Sequence, residues 1–83
     1  MLVKAELTRH INRVLDTKGL TQVRAAKLLR VHQPKVSALR RGRLSEFSIE
    51  TLLRFLVALG QDVAIDVREA KTNAGIRVRH AGA

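Results

Sequence analysis

Between Asp16 and Glu46 the chain carries no acidic residue. That window holds Thr21-Gln-Val-Arg-Ala-Ala-Lys-Leu-Leu-Arg-Val-His-Gln-Pro-Lys-Val-Ser-Ala-Leu-Arg-Arg-Gly42. Seven basic side chains fall inside this segment or directly after it: Arg24, Lys27, Arg30, Lys35, Arg40, Arg41 and Arg43. A disordered basic tail has no reason to keep a regular apolar pattern, and this stretch keeps one. The combination predicts two short packed helices that turn a positive face toward a polyanion, with duplex DNA the best fit.

The charge is unevenly placed. The formal net charge is +9 and the sequence pI about 11.6. Residues 1–60 hold 12 Lys/Arg against 4 Asp/Glu, and residues 61–83 hold 4 against 3, so +8 of the total lies in the first sixty positions. Nucleic-acid binding leaves this footprint, although an anionic membrane attracts the same charge. No apolar run approaches the ~18 residues of a membrane span, and the opening Met1-Leu-Val-Lys-Ala-Glu-Leu does not read as a signal peptide. A soluble cytoplasmic protein is expected, associated with the nucleoid through DNA.

Eighty-three residues are near the size at which one hydrophobic core is barely sufficient. There is no cysteine, hence no disulfide and no thiolate metal site. His10, His32 and His80 are too far apart for a metal-binding spacing. Neither metal nor cofactor is expected, and self-association into a homodimer is the expected additional source of stability.

Apolar periodicity divides the chain. Leu7, Ile11, Val14 and Leu15 make a one-sided stripe on a first helix over 4–18, with Arg9, Arg13 and Asp16 on the wet side and Gly19 as its stop. Thr21 is placed to cap a second helix, whose buried side is expected to be Ala25, Ala26, Leu28 and Leu29. Arg30-Val31 makes a turn. A third helix runs from about Gln33 to Arg41, with Pro34 in its first turn and Gly42 at its end. Residues 43–47 connect to a fourth helix capped by Ser48, with Phe47 set against Leu52 as a hydrophobic staple and Ile49, Leu52, Leu53, Leu56 and Leu59 facing inward.

After Gly60 the period changes to two. Val63, Ile65 and Val67 alternate with polar neighbours and predict a half-buried strand. Ile76-Arg-Val-Arg79 alternates again after a turn-like Lys71-Thr-Asn-Ala-Gly75, and would either close a hairpin or stay mobile; mobility is the expectation. The predicted organisation is a helical DNA-binding domain over 1–60 and a strand with a flexible tail over 61–83.

Residues 22–42 read as a helix-turn-helix, which needs apolar side chains where its helices face each other and small ones where they cross. Ala25, Ala26, Leu29, Val31, Val36 and Leu39 fall in those places. Here the chain resembles the xenobiotic-response-element (XRE) family, the helix-turn-helix of phage Cro and repressor type. The matching residues are Thr21-Gln22, Ala25-Ala26, Val31-His-Gln-Pro-Lys-Val-Ser37 and Leu39-Arg-Arg-Gly42. Two positions depart from the family pattern: Arg30 stands where glycine is usual, and His32 where a serine-like cap is usual. A left-handed backbone at Arg30 would cost roughly 1 kcal/mol relative to glycine.

At 100° per residue, Val36 and Leu39 point to one side of the third helix, and Pro34, Ser37, Ala38 and Arg41 lie opposite. Such a face is low in the middle with long polar reach at its edges. It suits a helix lying in the major groove, its roughly 13 Å length matching a groove about 12 Å wide. Gln33 can pair with adenine, Lys35 and Arg41 can reach guanine or phosphate, Ser37 can donate to either, and Ala38 can meet a thymine methyl. The resemblance implies that Gln22 grips a phosphate from the start of the second helix. Lys27, Arg40 and Arg43 look like further backbone contacts, and His32 a cap or a minor contact.

The resemblance covers about residues 4–68 and implies a mainly α, lambda-repressor-like domain of four to five helices followed by the strand. Within the family the chain is similar to small HigA-like antitoxins of bacterial toxin–antitoxin pairs. These imply a dimer that represses its own operon and binds a RelE-like toxin. An unpaired strand at Val63, Ile65 and Val67 would offer an edge to a dimer mate or to the toxin. Two alternatives stay open: a phage or host repressor without a toxin partner, and a protein-binding adaptor that no longer reads bases. No catalytic constellation or phosphate-cradling glycine loop is recognisable, so an enzyme is not expected.

Overall fold

The computed structural model describes residues 2–79, and side chains from Val3 onward. Four helices follow in order: α1 over Leu2–Thr17, α2 over Gln22–Leu29, α3 over Gln33–Arg40 and α4 over Ile49–Ala58, with a single 3-10 turn at Leu44–Glu46 between the last two. The fold is mainly α, and each helix lies within two residues of its sequence-predicted span. The 3-10 turn falls where only a connecting loop was expected.

Local chemistry sets the boundaries. Thr21 Oγ1 accepts the Arg24 amide at 3.2 Å to start α2, and Ser48 Oγ accepts the Thr51 amide at 3.1 Å to start α4. Each bond satisfies an amide that the helix itself leaves without a partner. His32 begins α3 in an extended conformation with no side-chain cap bond.

The four helix ends share one hydrogen-bond pattern. After α2 the Arg30 amide reaches Lys27 O and the Val31 amide reaches Ala26 O, which is a Schellman closure. Gly19, Gly42 and Gly60 occupy the matching positions after α1, α3 and α4, each with positive φ. Arg30 takes the same left-handed backbone at φ 58° and ψ 46°, so the missing glycine does not reshape the turn, although the cost of that backbone in an arginine suggests that it would.

The core gathers one face of every helix. Leu7, Ile11, Val14 and Leu15 of α1 meet Ala25, Ala26 and Leu29 of α2, Val36 and Leu39 of α3, and Leu52, Phe55, Leu56 and Leu59. Helix α1 packs on α4 and α3, and α2 packs on α3 and α4. Ala25 and Ala26 are buried at the α2–α3 crossing, where small side chains let two backbones approach. Phe47 is buried with Leu52 as the staple predicts, and its ring also meets Phe55 edge-on at 6.0 Å. Leu28 departs from expectation: it is 48% exposed, because α2 turns Ala25 and Leu29 inward and leaves Leu28 on its outer edge.

The strand expected at Val63, Ile65 and Val67 does not form. Among the described residues none is in a strand, and residues 61–79 run without regular structure. Val63 and Val78 pack on the core, while Ile65 is 77% exposed, Val67 89% and Ile76 72%. Alternation makes a segment fit for a sheet but supplies no second strand, and the Ile76–Arg79 run does not pair with the first. Residues 80–83, expected to end a mobile tail, lie outside the described residues.

Candidate nucleic-acid interface

Helix α3 is short and packs against α1, α2 and the 3-10 turn. Val36 and Leu39 face the core as predicted. Ala38, expected on the open face, is only 5% exposed. The chain returns after Gly42, the Arg43 amide donates to Ala38 O at 3.0 Å, and the 3-10 turn packs on α3. The face left open comprises Gln33 and Pro34, half-buried Ser37 and the capping Arg41. Its rim is a shallow depression lined by Pro34, Ser37, Ala38, Arg41, Arg43 and Glu46.

The basic side chains separate into two groups. Arg24, Lys27, Arg30 and Arg41 are exposed and form no ion pair among the described residues. Lys35, Arg40 and Arg43 have partners inside the molecule. Lys35 Nζ donates to Glu46 O at 3.2 Å, lies 3.7 Å from the Glu46 carboxylate and sits over the Phe47 ring. Arg43 is 3.9 Å from the same carboxylate. Arg40 turns away from the open face to α1, where it bonds Asn12 and Asp16. Gln22 and His32 are exposed at the starts of α2 and α3.

The structure therefore brings Gln33, Pro34, Ser37 and Arg41 onto one accessible face, with Gln22, Lys27, His32 and Arg43 exposed beside the two helices. It places Ala38 in the core, Lys35 against the 3-10 turn and Arg40 against α1. Sequence reasoning missed Glu46 and Asn12. Glu46 ends the acid-free window three residues after Arg43, which is a legible signal; Asn12 meets α3 only through the tertiary fold. No cluster of His, Cys, Asp or Glu suited to a metal ion occurs among the described residues, and no described helix is long and apolar enough to cross a membrane.

A capped helix, a left-handed turn and a second helix with a polar outer face define a helix-turn-helix. The sequence profile of the helix-turn-helix domain family matches residues 1–68, and the chain belongs to that family. More narrowly, it is of the XRE type. A solved structure assigned to the XRE family of transcriptional regulators is 41% identical, covers 98% of this chain and 92% of its own, and superposes with a TM-score of 0.86. No curated protein matches the chain.

Proposed function

We propose that this protein is a sequence-specific DNA-binding transcriptional regulator that lays α3 in the major groove. The observation that carries the reading is the accessible Gln33–Pro34–Ser37–Arg41 face, together with the exposed cations Arg24, Lys27 and Arg30 of α2 and its turn, which form no ion pair among the described residues. Gln33 and Arg41 have the reach and donor geometry to read base edges, and Ser37 is a short donor at the centre of the face. Gln22, Lys27, His32 and Arg43 hold the phosphates on either side. The likeness to an XRE-family regulator over nearly the whole chain supports the assignment.

The fuller reading is a cytoplasmic homodimer that represses its own operon and neutralises a RelE-like toxin. Its support on the protein side is the segment after Gly60. Ile65 and Val67 are exposed on an irregular backbone whose peptide groups are not engaged in a sheet, which suits strand addition to a dimer mate or a toxin.

Two measurements test these levels separately. Mobility shift on the duplex upstream of the gene, across a salt series, should show tight binding that weakens steeply with salt. An absent or salt-insensitive shift would revive the adaptor reading. Co-purification with the product of the neighbouring gene should give a stable complex if the protein is an antitoxin. Failure there, with DNA binding intact, leaves a stand-alone repressor.

A further inference from the structure

Of the three cations with partners inside the molecule, Arg40 is the most fully engaged. Its Nη1 donates to the Asn12 backbone carbonyl at 3.0 Å and to Asn12 Oδ1 at 3.2 Å, and its Nη2 pairs with Asp16. Asn12 also acts in the other direction: its Nδ2 donates to Leu39 O at 3.1 Å. That carbonyl also accepts the Gly42 amide at 3.1 Å in the closure of α3, so Asn12 adds a second, side-chain bond to the helix end. One amide side chain on α1 thus accepts from one residue of the third helix and donates to the residue before it.

We propose that Asn12 and Arg40 form a pin that sets how α3 lies on α1, and so how its open face meets DNA, and that Arg40 makes no phosphate contact. The proposal rests on the DNA-binding reading above. Val36 and Leu39 fix α3 to the core by apolar contact, which resists separation but tolerates rolling. Directional bonds at the helix end remove that freedom. An aspartate at position 12 would keep the acceptor for Arg40 and lose the donor to Leu39, whereas alanine would lose both. Because Asp16 neutralises Arg40 within the molecule, the guanidinium adds little to the cationic surface. Asn12 and Arg40 are therefore positioning residues, which touch no base in this account.

The test uses the full chain, a duplex enriched from a random-sequence library by the unaltered protein, and a random duplex of equal length. Absence of salt-dependent binding by the unaltered protein would overturn the DNA reading and this proposal with it, before any variant is compared. With binding established, Asn12→Ala should weaken the enriched duplex about three- to tenfold and leave the random duplex within about twofold. Asn12→Asp should fall between the two. Equal loss on both duplexes, measured well below each variant's melting temperature, would overturn the positioning role. The charge-balanced pair Arg40→Gln with Asp16→Asn separates a pin from a phosphate ligand. The salt slope should stay unchanged while the preference for the enriched duplex falls; a slope lower by about one unit would put Arg40 on the DNA backbone and overturn the proposal.

Discussion

The ammonium of Lys35 lies 5.0 Å from the centre of the Phe47 ring and donates to the Glu46 carbonyl at 3.2 Å. A lysine in the first turn of α3 is thus held against the segment that leads into α4. Phe47 is buried beneath it and also meets Phe55, so the contact links α3 to the core through the segment before α4.

Lys35→Met keeps the apolar stem and removes the charge, and it should lower stability by about 0.5–1 kcal/mol in chemical denaturation. Its effect on the DNA salt slope should stay well under one unit, because the ammonium already has partners. A loss of a full unit would mean that Lys35 leaves Glu46 for a phosphate on binding. The two surface ion pairs to Glu46 are half-exposed and should contribute little, so Glu46→Gln should leave the denaturation midpoint nearly unmoved.

Gln33 is exposed at the start of α3, beside Pro34, where a side-chain amide can reach adenine with both its donor and its acceptor. Gln33→Ala should weaken the native operator by about 1–3 kcal/mol and relax the base preference at one position. Binding-site selection with the variant checks this. Equal weakening on operator and random sequence would remove Gln33 from base reading.

Lys27 stands on the outer side of α2 with no ion pair among the described residues. A free cation beside the open face contributes by displacing a condensed counterion, which is indifferent to sequence. Lys27→Ala should therefore weaken all duplexes alike and flatten the salt slope by about 0.9. A slope equal to that of the unaltered protein would place Lys27 outside the contact surface.

The features legible in the sequence are those decided locally. The caps at Thr21 and Ser48, the glycine stops and the apolar stripes of α1 and α4 each depend on residues within a turn or two. What was not legible depends on distant chain. A wheel drawn on α3 alone puts Ala38 outside, and only the return of the chain through Arg43 covers it. The partners of Arg40 on α1, Asn12 and Asp16, lie 28 and 24 residues away and leave no local trace in the sequence. The strand at 63–67 failed for the same reason: alternation describes one segment, and a ladder needs two.

Arg30 is the one described non-glycine residue with positive φ, and it occupies the turn between α2 and α3. The three other helix ends make the same closure with Gly19, Gly42 and Gly60. An L-residue in this region brings its Cβ against the following carbonyl, at roughly 1–2 kcal/mol. Glycine removes that clash but adds freedom to the unfolded chain, worth about 0.5–1 kcal/mol in the opposite direction. Arg30→Gly should therefore raise stability slightly, by about 0.5–1 kcal/mol, and shift the melting temperature upward by a few degrees. Arg30→Ala is the matched control: it loses the same charge and keeps the clash, and should show no gain. If both variants stabilise the protein equally, the benefit comes from reduced repulsion within the basic face rather than from the backbone. The same pair shows what Arg30 contributes to DNA binding, since both lose one exposed cation. Equal flattening of their salt slopes would mark the arginine as a residue kept for its charge at the expense of an easier turn.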